Sequence, residues 1–222
     1  MHKIESGADQ HPETKLLCAA SREIGLQLSD GQIHQLIAFT DCLEKWNRAY
    51  NLTAVRDRSA MLHRHIIESL AIAPYVSGRC IVDVGTGAGL PGIPLAIVAP
   101  DREHVLLDSN SKKTRFLSEV KRLLGLSNIT IETARVEKWR PNQPVDAVIT
   151  RAFADLPTTL TRIDHLLCGD GALFAMKTES ASVELRALPV GFQHTATQQV
   201  EVPGRQWGFQ LVTIKRSGGV SS

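Results

Sequence analysis

Hydrophobic positions fall into two rhythms along the chain. From about Glu13 to Tyr75, apolar residues recur at intervals of three and four, the mark of amphipathic helices. Leu16, Leu17 and Ala20 make the first stripe, and Gly25 punctuates its end. Ser29-Asp30 offers a cap for a longer helix carrying Ile33, Leu36, Ile37, Leu43 and Trp46. Tyr50-Asn51-Leu52-Thr53 reads as a break. A third helix from about Ser59 carries Leu62, Ile66, Leu70 and Ala73, and Pro74 ends it. From Cys80 onward, short β-branched runs alternate with helical stretches, which is the pattern of an α/β sheet. Strands are predicted at Ile81–Val84, Val105–Asp108, Ile129–Ile131, Val145–Thr150, Ala172–Lys177, Gln193–Val202 and Phe209–Ile214. Helices are predicted between them at Ile93–Val98, Ser111–Leu124, Leu156–Leu167 and Ala181–Leu188. The fold class is α/β: a doubly wound, mostly parallel, seven-stranded sheet. Residues 1–79 form a helical extension packed on the sheet domain of residues 80–216, and 217–222 form a flexible tail.

One stretch organises the rest: Ile81-Val82-Asp83-Val84-Gly85-Thr86-Gly87-Ala88-Gly89-Leu90-Pro91-Gly92. A buried strand carries Asp83 two positions before the first glycine. Three alternate glycines let the backbone turn tightly and approach a ligand. Pro91 suits the first turn of the next helix, where its missing N–H costs nothing. Strand, glycine loop and helix form the nucleotide-site unit of a doubly wound sheet. Two frames compete. Asp83-x-Gly85-x-Gly87-x-Gly89 starts the loop directly after the strand. Gly87-x-Gly89-x-x-Gly92 matches the dinucleotide fingerprint. The apolar run stops at Val84, which favours the first frame. An ordinary glycine-rich turn is the third alternative.

Composition narrows the field only modestly. The chain has 222 residues, 43% of them hydrophobic, enough for one sizeable core plus an appendage. A net charge of +2 argues neither for nor against nucleic acid. Cys18, Cys42, Cys80 and Cys168 form no Cys-x-x-Cys pair and read as free thiols of a reducing cytoplasm. No apolar run approaches the roughly 18 residues of a membrane span, and Met1 to Gln10 lacks the apolar stretch of a signal peptide. His63 and His65 tempt a metal reading, but residues two apart on a helix face different sides. No metal is expected there; the pair is solvated or hydrogen-bonded, or faces RNA.

Further candidates sit at strand ends. Asp108 ends the second strand, where an acid accepts hydrogen bonds from ribose hydroxyls; capping the following helix is its other role. Lys112, Lys113 and Arg115 crowd that helix's first turn, where the macrodipole disfavours cations. Residues 111–140 hold eight Lys or Arg against three Glu. The surplus reads either as a solvated face or as a phosphate-backbone contact. Arg135-Val136-Glu137 follows the third strand and Arg151 the fourth, at the sheet's carboxyl edge. Glu137 and Arg151 either read a ligand or pair with each other.

These motifs resemble a known family. The Asp83-x-Gly85-x-Gly87-x-Gly89 frame is that of class I S-adenosylmethionine-dependent methyltransferases. More closely, the chain resembles the bacterial small-subunit rRNA guanine-N7 methyltransferases, called RsmG or GidB. The match runs through Lys45-Trp46-Asn47-Arg48-Ala49-Tyr50-Asn51-Leu52-Thr53, Arg64-His65-Ile66, the glycine loop, Leu107-Asp108-Ser109, Lys113-x-Arg115-Phe116-Leu117, Arg135-Val136-Glu137 and Arg151-Ala152-Phe153-Ala154. It departs at Thr178, where the family often has glycine, and at Phe209, where it tends to carry a basic residue.

The resemblance implies a Rossmann-like enzyme that methylates N7 of a guanine in 16S rRNA, without need of a general base. It implies S-adenosyl-L-methionine at Asp83, Gly85, Gly87, Gly89, Leu90, Asp108, Val136, Glu137 and Arg151. RNA candidates are Lys112, Lys113, Arg115, Arg135 and Lys177; no catalytic residue is assigned. The implied partner is 16S rRNA or an assembling small subunit, met by a cytoplasmic monomer. The alternatives are a class I enzyme acting on another RNA or a small molecule, and a non-catalytic RNA-binding module.

Overall fold

The computed structural model describes residues 11–167, 169–178, 181–206 and 208–217. Cys168, residues 1–10 and residues 218–222 of the expected tail lie outside them. Before the sheet come α1 (Pro12–Ile24), α2 (Asp30–Tyr50), α3 (Arg58–Met61) and α4 (Glu68–Leu70), the last two joined by a π-helical stretch, Leu62–Ile67. Then follow β1 (Cys80–Val84), α5 (Gly92–Val98), β2 (Glu103–Asp108), α6 (Ser111–Leu124), β3 (Ile129–Thr133) and β4 (Ala147–Arg151). The chain continues through α7 (Leu156–Ile163), a 3-10 turn (Asp164–Leu166), β5 (Ala172–Lys177), α8 (Ser182–Leu185), β6 (Phe192–Val200) and β7 (Phe209–Arg216).

The strand order is β3-β2-β1-β4-β5-β7-β6. β1 to β5 pair in parallel, and β7 runs antiparallel to both β5 and β6. The order reverses between β1 and β4, which opens a crevice at their carboxyl ends. β1 is buried at every position because helices cover both faces. Ile81 faces the layer built from α1, α2, α5 and α6, while Val82 and Val84 face the layer containing α7. Edge strand β6, by contrast, is exposed at seven of its nine residues.

Local signals explain the helix ends. Ser29 and Gln32 form a reciprocal capping box on α2, and Asn51 closes that helix in the left-handed region. Three departures from the periodicity have local causes. Pro91 takes the N-cap of α5 rather than its first turn, because the helix begins at Gly92. α8 is one turn long, Ser182–Leu185, and Pro189 bars the predicted extension to Leu188 by disfavouring helical backbone there. The third predicted helix contains the π-helical stretch, a wider turn that apolar spacing does not distinguish from an α-turn.

The helical extension shares its core with the sheet. Leu17, Leu36, Phe39 and Leu43 lie in one apolar cluster with Ile81, Leu106 and Phe116. Phe39 and Trp46 of α2 meet Phe116 of α6 at ring-centroid distances of 6.5 and 5.6 Å. Arg58 ties the extension together through Glu13 of α1 and through Asp41 and Glu44 of α2. Among the described residues no helix is long and apolar enough to cross a membrane, and no group of three or more His, Cys, Asp or Glu could hold a metal ion.

Candidate functional site

The first part of the site is backbone hung on two carboxylates. β1 stops at Val84, and the loop turns through Gly85 (φ 70°), Gly87 (φ 59°) and Gly89 (φ 81°). Asp83 is buried beneath it. Its Oδ2 accepts from the Thr86 hydroxyl at 2.7 Å and the Gly92 N–H at 2.8 Å, so it ties the loop to the start of α5. Its Oδ1 has no hydrogen-bond partner among the described residues. Burial pushes this carboxyl up to about 6 against the pull of Thr86 and Gly92. A Cβ on Gly92 would stand 2.3 Å from Leu106 Cδ2 and 2.7 Å from Asp83 Oδ2. Gly92 is therefore glycine for close helix–strand approach. A Cβ on Gly85 would stand 2.7 Å from Phe153 Cδ2, so the loop also packs against the segment after β4.

Asp108 closes β2 beside this loop. Its Oδ2 accepts from Gly87 N–H at 3.0 Å and lies 3.4 Å from Lys113 Nζ; its Oδ1 accepts from Asn110 N–H at 2.8 Å. The cap of α6 belongs to Asn110, whose side chain accepts from Lys112 N–H at 3.0 Å. A cavity of about 260 Å³ opens here, with Gly85, Asp108, Lys113, Arg135, Val136 and Glu137 among its lining residues. Glu137 pairs with Arg162 at 3.4 Å, not with Arg151. Arg162 in turn lies 5.6 Å from the Phe153 ring centroid.

The second part gathers residues far apart in sequence. Arg151, ending β4, donates to the Arg64 carbonyl at 3.0 Å and lies 3.4 Å from both Glu68 Oε2 and His65 Nδ1. Its Nη1 is buried without a hydrogen-bond partner among the described residues. Burial draws the Arg151 guanidinium below its ordinary value, while Glu68 and Asp83 act the other way. His65 Nε2 meets Thr53 Oγ1 at 2.8 Å. Thr53 is fixed by Asn47, whose Oδ1 accepts its N–H at 2.9 Å and whose amide donates to Val55 O at 3.0 Å. The Asn47-to-Thr53 segment thus props an arginine in the sheet through one histidine. Burial and the neighbouring Arg151 hold His65 down at about 4, so it is neutral near pH 7.

Ala152, next in the chain, adopts φ 50°, a strained conformation for a residue with a Cβ. It and Phe153 line both the smaller cavity and a larger one of about 620 Å³, bordered by Glu68, Arg151, Met176, Lys177 and Phe209.

Of the residues singled out from sequence, Gly85, Asp108, Lys113, Arg135, Val136 and Glu137 meet at the smaller cavity, and Arg151 and Lys177 at the larger. Asp83 and Leu90 point inward instead, Leu90 into the apolar core. Lys112 and Arg115 are exposed and outside both cavities, whereas Lys113 turns inward to Asp108. Lys177 is committed to Glu184 at 2.7 Å and the Ala154 carbonyl at 3.1 Å. The hydrogen-bonded reading of the two histidines holds, with His63 Nδ1 at 2.9 Å from Ser59 O and His65 on Thr53, but the sequence assigned no role at the site to His65 or Thr53 and did not single out Glu68. The available signal was the polar residues His65 and Glu68 within the apolar run Leu62, Ile66, Ile67 and Leu70.

A profile of the GidB family, described as rRNA small subunit methyltransferase G, matches residues 32–211. The chain is 46% identical over 203 residues to the ribosomal RNA small subunit methyltransferase G of Ectopseudomonas mendocina, covering 90% of this chain and 95% of that protein. It is 45% identical over 211 residues to the protein of the same name from Saccharophagus degradans, covering 95% of each. In fold it is similar to the crystal structure of a SAM dependent methyltransferase from Aquifex aeolicus, with a TM-score of 0.54 at 17% identity over 70% of this chain and 92% of that one. With the profile covering most of its length and relatives this similar end to end, the chain belongs to the rRNA small subunit methyltransferase G family.

Proposed function

We propose that the chain is an S-adenosylmethionine-dependent methyltransferase that modifies N7 of a guanine in 16S rRNA, free or in an assembling small subunit, as a cytoplasmic monomer. The observation that carries the reading is the glycine loop over Asp108 at the sheet's reversal point, in a chain of this family. The groups around the smaller cavity fit an adenosyl ligand. Asp108 is a carboxylate acceptor for ribose hydroxyls, and its long contact to Lys113 is one a hydroxyl can replace. Gly85 supplies a side-chain-free wall, while Gly87 gives its N–H to Asp108 and Gly89 lets the loop pack on Ile93 and Leu117. Val136 and Glu137 flank the adenine side, and Arg151 lies toward the larger cavity. Asp83 and Leu90 act indirectly, by holding the loop.

The bound donor supplies an electrophilic methyl group. Guanine N7 presents an in-plane lone pair and no proton, so the chain has only to hold and align the base, which is the proximity contribution. Phe153 and Phe209 offer apolar walls for an unstacked base in the larger cavity. Lys112, Arg115 and Arg135 are exposed cations suited to RNA phosphates, and Lys113 and Lys177 act from the cavity walls. The test is incubation of purified protein and donor with unmodified small-subunit rRNA, followed by mass analysis of nuclease fragments. One added methyl on a single guanine, chemically labile as N7-methylguanine is, is expected. Methylation of free nucleosides with no dependence on RNA would favour a small-molecule enzyme.

A further inference from the structure

The larger cavity contains a buried carboxylate that the fold leaves poorly satisfied. Glu68 is 7% exposed, yet no hydrogen bond reaches its carboxylate from the described residues, and Arg151 stands off at 3.4 Å. Buried acids are ordinarily fully hydrogen-bonded, because stripping their water is costly. Burial pushes Glu68 up, with Arg151, Arg205 and Arg64 opposing. The other acid of the cavity, Glu184, is already engaged by Lys177 at 2.7 Å and by Leu156 N–H at 2.6 Å. Glu68 is therefore the carboxylate of this cavity, among the described residues, still able to take donors from a ligand. It comes from the helical extension, where the π-helical turn ends.

We infer that Glu68 selects guanine by accepting hydrogen bonds from its N1–H and 2-amino group. The inference rests on the guanine reading above. A carboxylate presents two acceptors side by side, and guanine's Watson–Crick edge presents two adjacent donors. Adenine places a lone pair at N1 and has no 2-amino group, so the same carboxylate repels it. Gripping that edge turns the opposite side of the purine, which carries N7, away from Glu68 and leaves it free to react. Phe153, Met176 and Phe209 add apolar surface for the ring faces.

The experiment compares small-subunit rRNA carrying guanosine or inosine at the methylated position; inosine lacks the 2-amino group. Wild-type kcat/KM should favour guanosine by about tenfold, the size of one lost base contact. In Glu68→Ala the preference should fall to near one. Glu68→Gln, which keeps the shape, should show a reduced preference and serves if the alanine variant folds poorly. An unchanged preference in both variants, with the loss confined to the KM for the donor, would overturn the inference and leave Glu68 as a counter-charge to Arg151. Wild-type protein that methylates neither RNA would instead overturn the guanine reading itself.

Discussion

The two strand-end groups at the heart of this molecule, Asp108 and Arg151, are held in opposite ways. Asp108 is satisfied locally: Gly87, Asn110 and Lys113 reach it from neighbouring turns. Arg151 depends on Arg64, His65 and Glu68, more than eighty residues earlier, and among the described residues one of its buried nitrogens has no partner. One corner is built from the backbone amides of Gly87 and Asn110 with the Lys113 ammonium beside them. The other is built from buried side chains that only the assembled fold brings together.

The contrast is broken most severely by acid. His65 sits near 4 in the folded protein, against about 6.5 in an unfolded chain. The unfolded state therefore binds more protons between these values, so stability is full above pH 6.5 and falls as pH drops toward 4. The loss from this residue should reach about 3 kcal/mol. His104, buried in β2 and also held near 4, adds a similar loss far from the site. Urea titrations at pH 7 and pH 4.5 should show His65→Gln losing less stability than wild type between the two. An identical loss would mean that His65 already charges freely in the folded protein.

Removing one charge from each corner should have a smaller effect. Arg151→Met removes the ion-pair partner of buried Glu68, leaving Arg205 and Arg64 to act on it, and should cost about 2 kcal/mol at neutral pH, below the fully buried case because Arg151 is partly exposed. Lys113→Met leaves Asp108 with its two backbone N–H donors and should cost less than about 1 kcal/mol. Thermal melts of both variants check the ranking. Equal costs would erase the distinction between the corners.

The same distinction decided what could be read from the sequence. The glycine loop, Asp83 and Asp108 lie within 26 residues in a pattern whose backbone geometry is local, so strand, loop and acid were all legible. The buried strands were legible as β-branched runs, and the helix caps as Ser29 and Gly25. Arg151's partners were not, because helix periodicity assigns His65 and Glu68 to a face without saying what that face meets. A π-helical turn looks like an α-turn in sequence. Lys113 and Arg115 looked equivalent, yet one turns inward to Asp108 and the other stays in solvent. Charge counts do not distinguish two positions of one helix turn.

We propose that Asp108 and Arg151 hold the same methyl donor. Calorimetric titration of S-adenosylhomocysteine, the demethylated donor, into wild-type protein and into Asp108→Ala and Arg151→Met tests it directly. Wild-type protein should bind it and ignore NAD, and each substitution should weaken binding at least about tenfold, the worth of one hydrogen bond to a charged group. Tight binding of NAD without response to S-adenosylhomocysteine would contradict the ligand. Loss in Asp108→Ala with normal affinity in Arg151→Met would contradict the shared site.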